Sequence, residues 1–196
     1  MIKIIFFDFA GVLFSISDFE HLYLPKGIGV DAKKIIEITD RFDESGRVSD
    51  NNFLSIVSKE LGFKPKKLKK KWLSIYKKNG KLVRSVYKVA FSLKRHGYRI
   101  GILSNAKKMH ADINVKMGAY KGFNPVILSY KVRMVKPDKK IYALACRRAR
   151  VRPSEAVLID DRIVNVKGAR AFGMRAILYK NPGQLKRELK KLNIKF

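Results

Sequence analysis

IKIIFFDFAGVLF, residues 2–14, decides how the rest of the chain is read. Its apolar residues run on without the polar alternation of a half-solvated strand, as expected for a strand buried on both faces of a parallel sheet. The expected strand covers residues 2–9, and near its carboxyl end stands a charged residue, Asp8. The stretch superficially resembles a secretion signal, with Lys3 ahead of an apolar run. Asp8 interrupts that run and one lysine is a thin n-region, so a buried first strand is the better reading. Ligands of parallel α/β sheets bind beyond the carboxyl ends of the strands, so a carboxylate at that end is placed for chemistry.

Working outward, four more apolar runs read as buried strands, at residues 98–104, 125–129, 156–160 and 175–179. Helical patterns separate them. Leu82, Val86, Val89, Ala90 and Leu93 recur at helical spacing, with Gly97 where a C-terminal cap belongs. Pro137 suits the first turn of a helix carrying Ile141, Leu144 and Ala145. Strand–helix alternation implies parallel βαβ units, hence an α/β fold with a Rossmann-like parallel sheet in a three-layer α/β/α sandwich.

Residues 17–82 break the rhythm, with helical faces and no convincing strand. Ile35, Ile38 and Phe42 form one face; Phe53, Val57 and Leu61 form a second behind a capping Ser49; Leu68, Trp72, Ile75 and Tyr76 form a third after Pro65. The expected organisation is a core of residues 1–16 and 83–196, with a small helical cap of residues 17–82 inserted above the sheet edge.

Reading only the strand ends collects Asp8, Ser104 with Asn105, Lys136 shortly after the third strand, and Asp160 with Asp161. Clustered carboxylates repel unless a hard cation neutralises them, and oxygen ligands with water suit Mg2+. A lysine and a hydroxyl beside that metal would suit a phosphoryl group. Any one of these residues could simply cap a helix, but agreement at four successive sites is harder to attribute to capping.

These motifs resemble the haloacid dehalogenase-like hydrolase superfamily, in order along nearly the whole chain. FFDFAGVLF (6–14) is similar to the motif that ends in the nucleophilic aspartate, and ILSNA (102–106) to the one whose Ser or Thr contacts the phosphoryl group. VKPDKKIY (135–142) is similar to the lysine motif, and VLIDDRIVNVKGARAFGMRAILY (157–179) to the paired-aspartate motif. FDESGRVSDNNFL (42–54) resembles the small C1-type helical cap of the subgroup that includes sugar phosphatases, haloacid dehalogenases and epoxide-hydrolase N-terminal domains.

The resemblance implies a role for each residue. Asp8 is the nucleophile that forms an aspartyl-phosphate. Ser104 and the backbone at Asn105 bind phosphate oxygens, and Lys136 neutralises the transferring group. The expected direct Mg2+ ligands are Asp8, the main-chain carbonyl of Ala10 and Asp161, with Asp160 as second choice. Asn165 falls where the family often keeps a polar partner for the lysine or the metal waters; a solvent-facing helix residue is an equal reading.

One position departs from the pattern. Phosphatases of this type carry a second aspartate two residues after the nucleophile, and here that residue is Ala10. The carbonyl ligand survives, but the general acid and base is lost, a role worth about 100- to 10,000-fold. Three readings follow. The first is an Mg2+-dependent phosphatase of limited efficiency acting on a small phosphorylated metabolite. The second is an impaired phosphate-binding or regulatory protein. The third is a 2-haloacid dehalogenase, which needs no metal and leaves the Asp160–Asp161 pair without a purpose.

The 196 residues carry 44 Lys and Arg against 16 acids, a formal net charge of +28. Residues 59–88 hold 12 basic residues against Glu60 alone, and residues 131–152 hold nine against Asp138 alone. Six glutamates are too few for the ion-pair networks of a lysine-rich thermophile surface. The field predicts an anionic substrate and weak, salt-sensitive, non-specific association with nucleic acid. Trp72 follows the basic run 66–71, yet its helical spacing assigns it to the core rather than to a base-stacking platform. Tyr23, Arg41, Arg47 and Tyr130 are candidates for reaching the substrate.

No apolar run approaches about 18 residues, so no membrane association is expected. The single cysteine, Cys146, sits in an apolar helical pattern and reads as a small buried hydrophobe. A reducing, cytoplasmic setting is the corresponding expectation.

Overall fold

The protein is described by a computed structural model covering residues 1–16 and 48–196. The expected helical face of Ile35, Ile38 and Phe42 lies outside the described residues. Five parallel strands make the sheet: β1 (Ile4–Phe7), β4 (Arg99–Ser104), β5 (Val126–Leu128), β6 (Ala156–Asp160) and β7 (Arg175–Leu178), in the order β5-β4-β1-β6-β7. β1 is central and pairs with β4 on one side and β6 on the other. Connections diverge from it in both directions, and this switch opens a crevice at the strands' carboxyl ends.

Alternate side chains of β1 feed two cores. Ile5 and Phe7 pack with Val86, Val89 and Leu93 of α3 (Arg84–Arg95) and with Leu185 and Leu189 of α8 (Pro182–Lys191). Ile4 and Phe6 pack with Ile141 and Tyr142 of α6 (Lys139–Ala149) and Val166 and Ala169 of α7 (Ile163–Ala171). All four β1 residues are fully buried, which explains the unbroken apolar run and gives the three-layer α/β/α arrangement.

Two local expectations are corrected. The stretch 17–82 does contain a strand: β3 (Gly80–Leu82) pairs antiparallel with β2 (Phe14–Ile16). Leu82 therefore belongs to this ribbon and not to the helix after it. Strands of three residues are too short for a period to register. Gly80 is needed there because a Cβ would run into the Phe14 ring. Pro137 precedes its helix instead of opening it; α6 starts at Lys139, where the Asp138 side chain accepts a hydrogen bond from the Lys140 N–H.

Between the ribbon's strands lie α1 (Asp50–Leu61) and α2 (Pro65–Asn79). Ser49 caps α1, accepting from the Asn52 N–H at 3.2 Å. Phe53, Leu54 and Val57 of α1 close with Leu68 and Trp72 of α2 on Met109 of α4 (Lys108–Lys116). Trp72 is 3% exposed, a core residue as its spacing predicts. Among the described residues no helix is long and apolar enough to cross a membrane.

Candidate active site

Asp8 leaves the end of β1 into a tight turn. The Phe9 carbonyl accepts from the Leu13 and Phe14 N–H groups, at 2.9 and 2.8 Å, and Phe9 stacks on Phe14 with ring centroids 5.3 Å apart. Gly11 is required on two counts. Its φ is +83°, and a Cβ there would occupy the space of the Asp161 carboxylate. The turn thus brings the β1 end against the β6 end.

Lys136 binds these ends together. Its Nζ lies 3.0 Å from Asp8 Oδ1 and 2.6 Å from Asp160 Oδ2, with the lysine side chain fully buried. Asn105 holds the lysine backbone from both sides: its Oδ1 accepts from the Lys136 N–H at 2.9 Å, and its Nδ2 donates to the Lys136 carbonyl at 3.0 Å. With its side chain turned to Lys136 in this way, Asn105 leaves its main chain to meet a ligand beside Ser104. Ser104, at the end of β4, is 2% exposed, and its hydroxyl donates to the Asn105 carbonyl at 3.3 Å.

Asp160 is fully buried and saturated. Oδ2 takes the lysine, Oδ1 accepts from the Arg162 N–H at 2.9 Å, and Asn165 Nδ2 donates to both oxygens at 3.0 and 3.2 Å. Asn165 is 2% exposed, so the solvent-facing reading is excluded. Asp161 is exposed, and carboxylate oxygens of Asp8, Asp160 and Asp161 lie within 4.8 Å of one another. Ala10 is exposed as well.

The electrostatics follow from burial. Desolvation raises the Asp8 pKa, with Asp160 and Asp161 adding to the rise and Lys136 opposing it. Burial also works against the charge of Lys136, but Asp8 and Asp160 outweigh it and hold the ammonium. Three carboxylates and one ammonium total −3 + 1 = −2 when ionised. Hard oxygen donors with a deficit of two positive charges fit a divalent cation such as Mg2+, and Gly11 lets the Asp161 carboxylate approach the β1 end to join the set.

Two supporting residues carried no recognisable signal in the sequence. Ser129 Oγ, at the start of the short helix α5 (Ser129–Val132) that follows β5, accepts from the Ala106 N–H at 2.8 Å and so anchors the loop after Ser104. Tyr142 donates to the Asn165 carbonyl at 2.9 Å and steadies the start of α7. Each bonds to the backbone of a distant segment, a pairing invisible to local pattern. Of the residues suggested to reach the substrate, Tyr130 lines a cavity beside α4, while Tyr23, Arg41 and Arg47 lie outside the described residues.

A family model described as haloacid dehalogenase-like hydrolase matches residues 2–173. A glyceraldehyde 3-phosphate phosphatase of Methanothermobacter thermautotrophicus is 25% identical over 193 residues, covering 91% of this chain and 85% of that protein. Mouse bifunctional epoxide hydrolase 2 is 31% identical over 114 residues, 56% of this chain, and the match spans only 21% of that longer protein. Among solved structures, a HAD family enzyme of Bacteroides thetaiotaomicron in complex with magnesium and inorganic phosphate superposes with a TM-score of 0.73 at 25% identity. That match covers 92% of this chain and 95% of that one.

Proposed function

The chain belongs to the haloacid dehalogenase-like hydrolase family, and from that premise we propose that it is a magnesium-dependent phosphatase acting on a small phosphorylated metabolite in a reducing cytoplasm. The observation that carries the reading is the buried Lys136 shared by Asp8 and Asp160 beside an exposed Asp161. An archaeal glyceraldehyde 3-phosphate phosphatase matching over most of both lengths supports it. So does a fold neighbour with bound magnesium and phosphate.

In this reading Asp8 attacks phosphorus. Its Oδ1 accepts from the Phe9 N–H at 2.7 Å and from Lys136, so Oδ2 is the oxygen left to attack. The Oδ2–P bond forms, the ester P–O bond breaks, and the departing alkoxide takes its proton from water because residue 10 has no acid to give. Water then hydrolyses the aspartyl-phosphate. The Ser104 hydroxyl and the Asn105 main chain hold phosphate oxygens, and Lys136 meets the charge that builds on them. Asp8, the Ala10 carbonyl and Asp161 would ligate Mg2+. Asp160, its oxygens already engaged, orients Lys136 and Asn165. The bound ion would supply charge neutralisation on the phosphoryl oxygens and hold Asp8 ionised despite its burial. The proposed division is a cap of residues 17–82 and a core of 1–16 and 83–196; α1, α2 and β3 are the described elements of the cap stretch.

A second reading, a phosphate-binding regulatory protein with little turnover, draws on Ala10 alone. Phosphate release from a panel of phosphorylated metabolites, with Mg2+ and with chelator, separates the two. Magnesium-dependent release that vanishes in Asp8→Asn is expected. Specific phosphate binding without release from any ester would favour the regulatory reading.

A further inference from the structure

A cavity of about 670 Å³ opens between α1 and α2 on one side and α4 with the segment after β5 on the other. That volume suits a small molecule. Its lining includes Ala106, two residues beyond Ser104, so it begins where the proposed phosphate-binding loop ends. Six cations surround it: Lys69, Lys77, Lys107, Lys108, Lys116 and Arg133.

Among the described residues two carboxylates line it, and both are engaged. Asp112 pairs with Lys108 at 2.6 Å, and Asp50 accepts from the Met109 N–H. The described lining residues therefore carry a formal 6 − 2 = +4. About one lining residue in three is basic, six of 17, against 44 of 196 in the chain, so the cavity is more basic than the molecule around it. Like charges around one cavity repel, and an anionic occupant relieves that cost.

We propose that this cleft receives a second phosphate of the substrate, so that the enzyme acts on small bisphosphorylated metabolites; the proposal rests on the phosphatase reading of Asp8. Five of the six cations are lysines, whose ammonium groups meet a phosphate dianion as point charges from several directions. The two walls belong to separate segments, Lys69 on α2 and Lys116 on α4, so an anion between them draws the helical pair and the sheet domain together.

Calorimetry with Asp8→Asn in Mg2+, which blocks turnover, tests this using fructose 1,6-bisphosphate and fructose 6-phosphate as probes. The bisphosphate should bind about tenfold tighter or more. Adding Lys69→Ala and Lys116→Ala should collapse that ratio toward one. Adding Lys186→Ala and Lys190→Ala, which removes equal charge from α8, should leave it intact. Equal affinity for the two sugars, or equal loss in both double variants, would overturn the inference while the phosphatase reading stands. Wild-type protein that releases no phosphate, yet keeps a cleft-dependent bisphosphate preference, would sink the phosphatase reading and spare the cleft. A short single-stranded oligonucleotide that displaces the bisphosphate more effectively than the monophosphate does would reassign the cleft to nucleic acid and overturn the proposal.

Discussion

At Asp160 both carboxylate oxygens are taken by Lys136, Asn165 and the Arg162 N–H, whereas Asp161, one residue on, is exposed. The two should therefore fail in different ways when changed. Asp161→Ala should abolish Mg2+ binding and alter unfolding free energy by no more than about 0.5 kcal/mol, the usual range for a surface change. Asp160→Ala should cost up to about 3–5 kcal/mol, because it leaves the buried Lys136 ammonium with Asp8 alone and removes the acceptor of the buried Asn165 amide. Calorimetry with Mg2+ and urea titration measure the two effects, and unchanged Mg2+ affinity in Asp161→Ala would reject it as the direct ligand. Ala10 is exposed at the same crevice, so a longer side chain has room there. Without an acid, the barrier depends on how well the leaving group departs unaided. Wild-type protein should hydrolyse p-nitrophenyl phosphate far better than a sugar phosphate. Ala10→Asp should narrow the gap by raising the sugar phosphate rate, by at most about 100- to 10,000-fold. The kcat/KM values of both substrates in both proteins check this; an unchanged gap, with folding and Mg2+ binding intact, would show that the missing carboxylate is not limiting.

Among the elements, the seam between α2 and α4 is pH-sensitive. His110 stacks on Tyr76 with centroids 4.2 Å apart, and its Nε2 accepts from the Trp72 indole N–H at 3.0 Å. Burial, aided by the charge of Lys107, lowers its pKa from 6.5 to about 3. An unfolded chain takes up a proton near pH 6.5 that the folded chain refuses until about pH 3. Stability is thus intact above pH 6.5 and falls as pH drops through that window, by up to about 1.4 kcal/mol per unit. His110→Gln keeps an acceptor for Trp72 without the titration, so its stability should fall less steeply over the same window. Parallel pH profiles from denaturant unfolding would contradict this.

For the molecule as a whole, the net charge of +28 governs encounters with polyanions. We propose weak nucleic-acid association without sequence preference, carried by phosphate contacts to the basic face of α2 and the 131–152 segment. Each neutralised phosphate releases counterions, so log K should fall with log salt by about 0.9 per contact on duplex DNA. Affinity for a random oligonucleotide that stayed flat between about 50 and about 200 mM salt would remove this role from the basic surface.

The sequence by itself determined the five-stranded parallel sheet and the positions of the polar residues at its carboxyl end. Both are local: a buried strand must be apolar throughout, and a residue's place along a strand sets the end of the sheet it reaches. Only the tertiary structure decided which of two adjacent aspartates is saturated. That depends on Lys136 arriving from 24 residues earlier in the chain and on Asn165, in the first turn of α7, turning inward where on sequence grounds it could equally have faced solvent. The β2–β3 ribbon was hidden for the same reason, since each strand has three residues and gains its conformation from its partner rather than from its own pattern. The basic cleft is also a tertiary product: its cations are scattered from Lys69 to Arg133, and folding alone gathers them around one cavity.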